Sequence, residues 1–328
     1  MSGTSESFCN PTRIQSYAIA QNVSNNIYII ICVVISVMCS VLSTSGNAVI
    51  LYVLRKCQSL HSPSKALLCS LALTDLFVGL IVLPLFTAYY LTIILEMPGC
   101  YCIISIAYGR TSTFIAGVSL QTIATIAIDR YLAFHLRLRY RELVKFRRVV
   151  CILVIQWVAT AVWSGSWFWN EQVNKISGAI ALTICCLVTL LCYLSIRRGL
   201  RHHVEQIHQQ NNSREPPVSF NLVQYKKTLN NMLWINGLLV VCYMPYLSSL
   251  LAILSTGLNK YTRFALHFSA IIAFFNSFLN PFLYCWKIKE LKEKVMALFR
   301  AMYNFLSSMY SRLANAVAVQ RSATFPIT

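Results

Sequence analysis

Residues 119–131 read SLQTIATIAIDRY, an apolar run that ends in an acid, a base and an aromatic: Asp129, Arg130 and Tyr131. An ionisable side chain in hydrocarbon costs roughly 2.5 to 3.5 kcal/mol on insertion scales, so it pairs, lies at an interface or works. The run is one of many. The 328-residue chain is 57% hydrophobic and 12% charged, against about 25% charge in a soluble protein. Spans of about 20 apolar residues cross a bilayer. Seven are expected, at 27–54, 64–92, 102–133, 149–168, 177–196, 229–254 and 264–286. The sequence therefore predicts an all-α, seven-transmembrane helix bundle occupying 27–286.

The formal charge of +18 would suggest nucleic acid in a soluble protein, but its placement excludes that partner here. With the amino terminus outside, only Arg13, Lys175, Lys260 and Arg263 are external. Arg110 and Arg130 lie within the third span, and the other 22 of the 28 Lys and Arg residues fall on inner loops, inner helix ends and the tail. That bias sets the orientation, with residues 1–26 as an extracellular tail and the carboxyl terminus in the cytoplasm. Basic inner surfaces also imply contact with anionic lipid. The tail holds one sequon, at Asn22, and the first span is expected to serve as its own insertion signal.

Most of the 13 cysteines fall inside spans, where a small apolar role is expected. Cys9, Cys100 and Cys102 are external, and a bridge is expected from Cys9 to either Cys100 or Cys102. Inside the spans, Asn47 needs a hydrogen-bond partner on a neighbouring helix. Asp75, about ten residues from the inner end of the second span, calls for a polar cavity. Pro245 and Pro281 each remove a backbone donor within a helix, so the sixth and seventh spans are expected to be kinked.

Together these residues resemble the class A, rhodopsin-like G-protein-coupled receptors. The marks are Gly46-Asn47, LALTD ending at Asp75, the Asp129-Arg130-Tyr131 triplet, Trp157, Tyr193, CYMP at 242–245 and NSFLNPFLY at 276–284. The resemblance covers about 27–300 and implies a receptor that converts binding of an extracellular ligand into activation of a heterotrimeric G protein, at the plasma membrane. The sixth helix swings outward to open a cytoplasmic cleft. Arg130 leaves Asp129 and meets Tyr193 and Tyr284, with Asn280 and Pro281 completing the switch. It also implies a mid-depth cavity in which Asp75, Ser119, Asn276, Ser277 and Asn280 hold a sodium ion, a hard cation suited to oxygen ligands. Arrestin and a receptor kinase are further implied partners.

Several positions depart from the family pattern. The second outer loop, about 169–176, is short and lacks cysteine; Tyr243 replaces the usual tryptophan; and Tyr225 stands where an acid often locks the arginine. The short loop and a fifth span without proline are similar to the melanocortin and cannabinoid branches, and LALTDLFVGLIVLPL to the adenosine branch. The ligand stays unassigned. Retinal is not expected, because 264–286 has no lysine, and Ser112 stands where amine receptors carry an aspartate. Arg110, about 30 Å along the helix from Arg130, either meets an anionic ligand or snorkels to the interface. With Arg110 and Ser112, the aromatic residues Tyr108, Phe114, Tyr243, Tyr246, Phe268 and Phe274 make eight candidates to line the ligand pocket.

Residues 287–301 form an expected amphipathic surface helix, with Ile288, Leu291, Val295 and Leu298 on one face. Residues 302–328 form a cytoplasmic tail, expected to be disordered from 311. A transporter or channel using Asp75 is the alternative reading, but no internal repeat accompanies it. An enzyme is not expected, since His267 has no nucleophile or acid partner in its sequence context.

Overall fold

The computed structural model describes residues 11–21, 27–58, 60–136, 139–165, 171–211 and 241–324, and among these there is no β-strand. The elements are α1 (Pro11–Gln21), α2 (Ile27–Lys56), α3 (Ser62–Phe77), α4 (Leu83–Ile94), α5 (Pro98–Leu136) and α6 (Tyr140–Leu143). They continue with α7 (Phe146–Ser164) and α8 (Glu171–Asn211), α9 (Val241–Thr256), α10 (Lys260–Lys287) and α11 (Lys289–Thr324). Without water in the bilayer core, each backbone N–H and C=O must bond within its own segment, so apolar runs of this length become helices.

The bundle is organised around α5, which at 39 residues spans roughly 58 Å and packs against α3, α4, α7 and α8. Its interior is unusually polar: Asn47, Thr74, Asp75, Thr122 and Asn280 are all fully buried. Large apolar side chains such as Val34, Val41, Ile155, Val162 and Leu191 point outward, as lipid-facing surfaces require.

The second span is one rod from Ser62 to Ile94, interrupted by a π-helical turn at Val78–Val82. Pro84 explains the interruption. It lacks an N–H, and its ring would strike the carbonyl four residues back. The ladder widens there, and Leu83 N–H bonds to the Val78 carbonyl. The turn presses on α2: a Cβ on Gly79 would sit 2.5 Å from Thr44 Oγ1 and 2.8 Å from its backbone nitrogen. Ser40 closes the contact by donating to the Gly79 carbonyl at 2.7 Å. Gly46 does the same for α10, where an added Cβ would lie 3.1 Å from Pro281 Cγ.

Within the expected extracellular tail, α1 packs on α4 and α5. Two expectations need correction. Most of the expected second outer loop is the first turn of α8, which begins at Glu171. The helix expected to end at 301 runs on as α11 to Thr324, so the segment expected to be disordered from 311 is helical through that residue. Residues 302–324 contain neither Gly nor Pro, so no helix breaker stops the continuation. The expected apolar face of α11 is used: Leu291 and Val295 are buried in the core cluster that holds Ile50 and Leu54 of α2. Glu290 fastens this contact, accepting from Cys57 Sγ at 2.9 Å and pairing with Lys294 at 2.8 Å. The inner half of the sixth span, 229–240, with Tyr225, Asn22 and Cys9, lies outside the described residues.

Candidate functional site

At the end of α5, Asp129 is 4% exposed and 3.3 Å from Arg130. It has two further partners. Tyr140 of α6 donates to its Oδ1 at 2.6 Å, and Ser64, in the first turn of α3, donates to Oδ2 at 3.2 Å. Burial, then the bond to Asp129, pushes the Tyr140 hydroxyl up to about 12, so it remains a donor at physiological pH. Sequence reasoning overlooked Tyr140, which stands among basic residues of a loop and forms part of no motif. Tyr131 and Tyr193 pack against Phe134 and Ile196 in the α5–α8 contact.

Deeper in the bundle, Asp75 is fully buried and its Oδ2 accepts from Asn280 Nδ2 at 2.7 Å. Asn47 donates to the Ser277 carbonyl at 3.0 Å, which ties α2 to α10 and supplies the partner its burial demands. Ser119 and Asn276 are buried too, although no direct hydrogen bond links either to Asp75. Four buried oxygens, Oδ1 of Asp75, Asn47 and Asn280 and the Tyr284 hydroxyl, have no hydrogen-bond partner among the described residues. Buried polar atoms are normally satisfied. A buried carboxylate together with unsatisfied neutral oxygens on the neighbouring helices is the kind of ligand set that suits a hard monovalent cation with water, so the residue types fit the sodium ion that the family implies.

At the opposite end a cavity of about 500 Å³ opens among α1, α5, α8, α9 and α10. Of the eight residues expected in the ligand pocket, Tyr108, Ser112, Tyr243, Tyr246 and Phe274 line it. The other three do not. Arg110 and Phe114 face a separate recess on the α5–α7 flank, and Phe268 is 48% exposed, stacked on Phe264 at 5.8 Å on another face of α10. Helix phase is the reason: 108 and 112 share one face, whereas 110 and 114 share nearly the opposite one.

The cavity wall also holds Arg13, Lys175, Arg263 and His267, none of which was expected there. Arg263 bonds through Nη2 to the Tyr101 hydroxyl at 3.0 Å and to that of Tyr89, and through Nη1 to the Ser16 carbonyl. The His267 ring lies 5.4 Å from Tyr89 and 5.6 Å from Tyr90. A sequence signal existed: Asn259 and Thr262 form a capping box, which places Arg263, His267, Ala270 and Phe274 on a single helical face. Of the two α5 cysteines expected as bridge candidates, Cys102 is disulfide-bonded and Cys100 is a free, exposed thiol; the third candidate, Cys9, lies outside the described residues.

A family model described as 7 transmembrane receptor (rhodopsin family) matches residues 46–185 and 163–284. The adenosine receptor A3 of Ovis aries is 23% identical over 294 residues, covering 82% of this chain and 89% of that protein. The histamine H2 receptor of Canis lupus familiaris is 25% identical over 297 residues, covering 82% and 80%. The human histamine H2 receptor is 25% identical over 297 residues, covering 83% and 79%.

Proposed function

The chain belongs to the rhodopsin family of 7 transmembrane receptors and is a G-protein-coupled receptor; from that premise we propose how its residues divide the work. The Arg263 end is extracellular and the Arg130 end cytoplasmic, an orientation supported by the concentration of Lys and Arg near the latter. A ligand in the 500 Å³ cavity bears on Tyr243 of α9 and Phe274 of α10, the two helices carrying Pro245 and Pro281. The signal passes through Asp75 to Tyr284, and Arg130 leaves Asp129 as the cytoplasmic ends separate to admit the G protein. Arrestin and a receptor kinase would use the same opened face at the plasma membrane.

The observation that carries this reading is the position of Asp75. Tyr243, on the cavity wall, and Tyr284, toward the Arg130 end, both lie close enough to feel its charge, and Asn280 beside Pro281 is bonded to it. One buried carboxylate thus bonds to Asn280 and lies within electrostatic reach of both halves of the proposed switch. The test is expression in cells carrying sensors for each G-protein class, challenged with peptides, nucleosides, lipids, amines and carboxylates. Basal or ligand-stimulated activation of at least one class is expected; silence of a surface-expressed receptor across all classes contradicts the reading.

The relatives' names refer to adenosine and histamine, a nucleoside and an amine, so likeness at this level of identity does not carry a ligand across. An amine would need an acid, and no Asp or Glu is among the described residues that line the cavity.

Tyr140 supplies a separate expectation. Tyr140→Phe removes a donor to Asp129, a hydrogen bond contributing about 1 kcal/mol. Loss of that resting-state restraint should raise basal nucleotide exchange up to about fivefold. Basal exchange normalised to surface receptor is the measurement, and an unchanged or lower value contradicts the assigned role.

A further inference from the structure

Arg263 is the one buried Lys or Arg among the described residues, at 6% exposed. All its bonded partners are neutral: the hydroxyls of Tyr89 and Tyr101 and the carbonyl of Ser16. No ion pair to it is found among the described residues. It lies in the first turn of α10, which contains no acid, so its charge adds to the positive end of the helix dipole instead of opposing it. A buried cation is ordinarily matched by a carboxylate or another anion, because isolation in low dielectric is costly. Arg13 and Lys175 add positive charge to the cavity wall, and no acidic side chain is among its described lining residues. Elsewhere its wall is apolar and aromatic, with Leu182, Tyr243 and Phe274.

These features select a ligand by charge and shape. The forked guanidinium matches a carboxylate bidentately, and a volume of about 500 Å³ suits a small organic molecule. We propose that the cavity binds a small organic carboxylate, its anionic group at Arg263, Arg13 and Lys175 and its apolar body against Leu182, Tyr243 and Phe274. The proposal rests on reading this cavity as the receptor's ligand site. It moves anion recognition from Arg110, which faces the flank recess, to a residue on a different helix.

The experiment uses the full chain in lipid nanodiscs, with octanoate, 3-phenylpropionate and indole-3-acetate as probes. Their primary amides and the corresponding amines serve as matched controls. Thermal melting reads binding, and nucleotide exchange on added G protein is read separately. The carboxylates should raise the melting temperature at concentrations where amides and amines do not. Arg263→Gln should weaken that binding at least about tenfold, the loss expected for a charged hydrogen bond, while Arg263→Lys retains part of it. If Arg263→Gln does not fold, the double variant Arg13→Gln/Lys175→Gln decides, with a loss in the same direction expected. Equal shifts from acids and amides, no shift from any acid at millimolar concentration, or affinity unchanged in the folded variants overturns the proposal. Carboxylate binding that depends on Arg263 but leaves exchange unaltered upholds the anion site and contradicts its reading as the signalling ligand's site.

Discussion

Arg130→Ala should abolish G-protein activation while leaving surface expression largely intact. Arg130 is 22% exposed and paired with Asp129, so its removal creates no cavity in the apolar core. Asp129 keeps two donors, Tyr140 and Ser64, and is not left as an isolated buried charge. The fold therefore tolerates the change. In the proposed switch, by contrast, the active state needs a long cationic side chain to cross the opened cleft, and alanine offers neither reach nor charge. Activation should fall at least about tenfold, to the level set by losing a charged hydrogen bond and more, as measured by sensor response per surface receptor. Full signalling from Arg130→Ala would contradict the switch. Loss of expression in step with loss of signal would point instead to a structural role.

Asp75→Asn should eliminate any stabilisation by sodium. The substitution keeps the shape and leaves Asn280 a partner, but it removes the one charge within the group of unsatisfied oxygens. A cation bound only by neutral oxygens at this depth is far less stable. In the wild type, replacing potassium by sodium at about 0.15 M and constant ionic strength should raise the melting temperature by a few degrees. This follows if sodium is near ten times its dissociation constant, a stabilisation of ~1.4 kcal/mol. Asp75→Asn should give the same melting temperature in both salts. A sodium shift that survives the substitution sinks the ion site. Higher absolute stability in the variant is consistent with the account, because burying a carboxylate opposes folding.

The parts of the molecule legible in sequence were those on which the bilayer imposes a simple rule. Apolar runs gave the spans to within a few residues at most ends, since length and hydropathy suffice where every backbone group must bond internally. Asp75, Asn47 and Asn280 stood out because polar side chains in hydrocarbon need partners, and the structure joins Asp75 to Asn280 and Asn47 to the Ser277 carbonyl. What remained hidden depended on helix phase and on contacts between distant segments. Arg110 and Phe114 were grouped with Tyr108 and Ser112 by proximity along α5, although two residues of offset turn a side chain roughly 200° around a helix. Arg263 was counted as an external charge, because nothing local reveals that Tyr89 and Tyr101 converge on it from more than 160 residues away. Tyr140 escaped for the same reason: its partner, Asp129, belongs to another helix.

The α11 contact shows how the tail joins the core. Glu290 accepts from Cys57 and from the Gln58 backbone N–H, and Lys294 donates to the Lys56 carbonyl. The amphipathic helix is thus fastened to the end of α2.

The central claim is that Arg130 converts opening of the bundle into nucleotide release from a G protein. Its most direct test is guanine-nucleotide exchange catalysed by the purified full chain in nanodiscs, with wild type and Arg130→Ala compared on the same heterotrimer. The account predicts exchange above that of empty nanodiscs for the wild type and none above that background for Arg130→Ala. Equal exchange by the two proteins, or none by the wild type with any class of G protein, would contradict it.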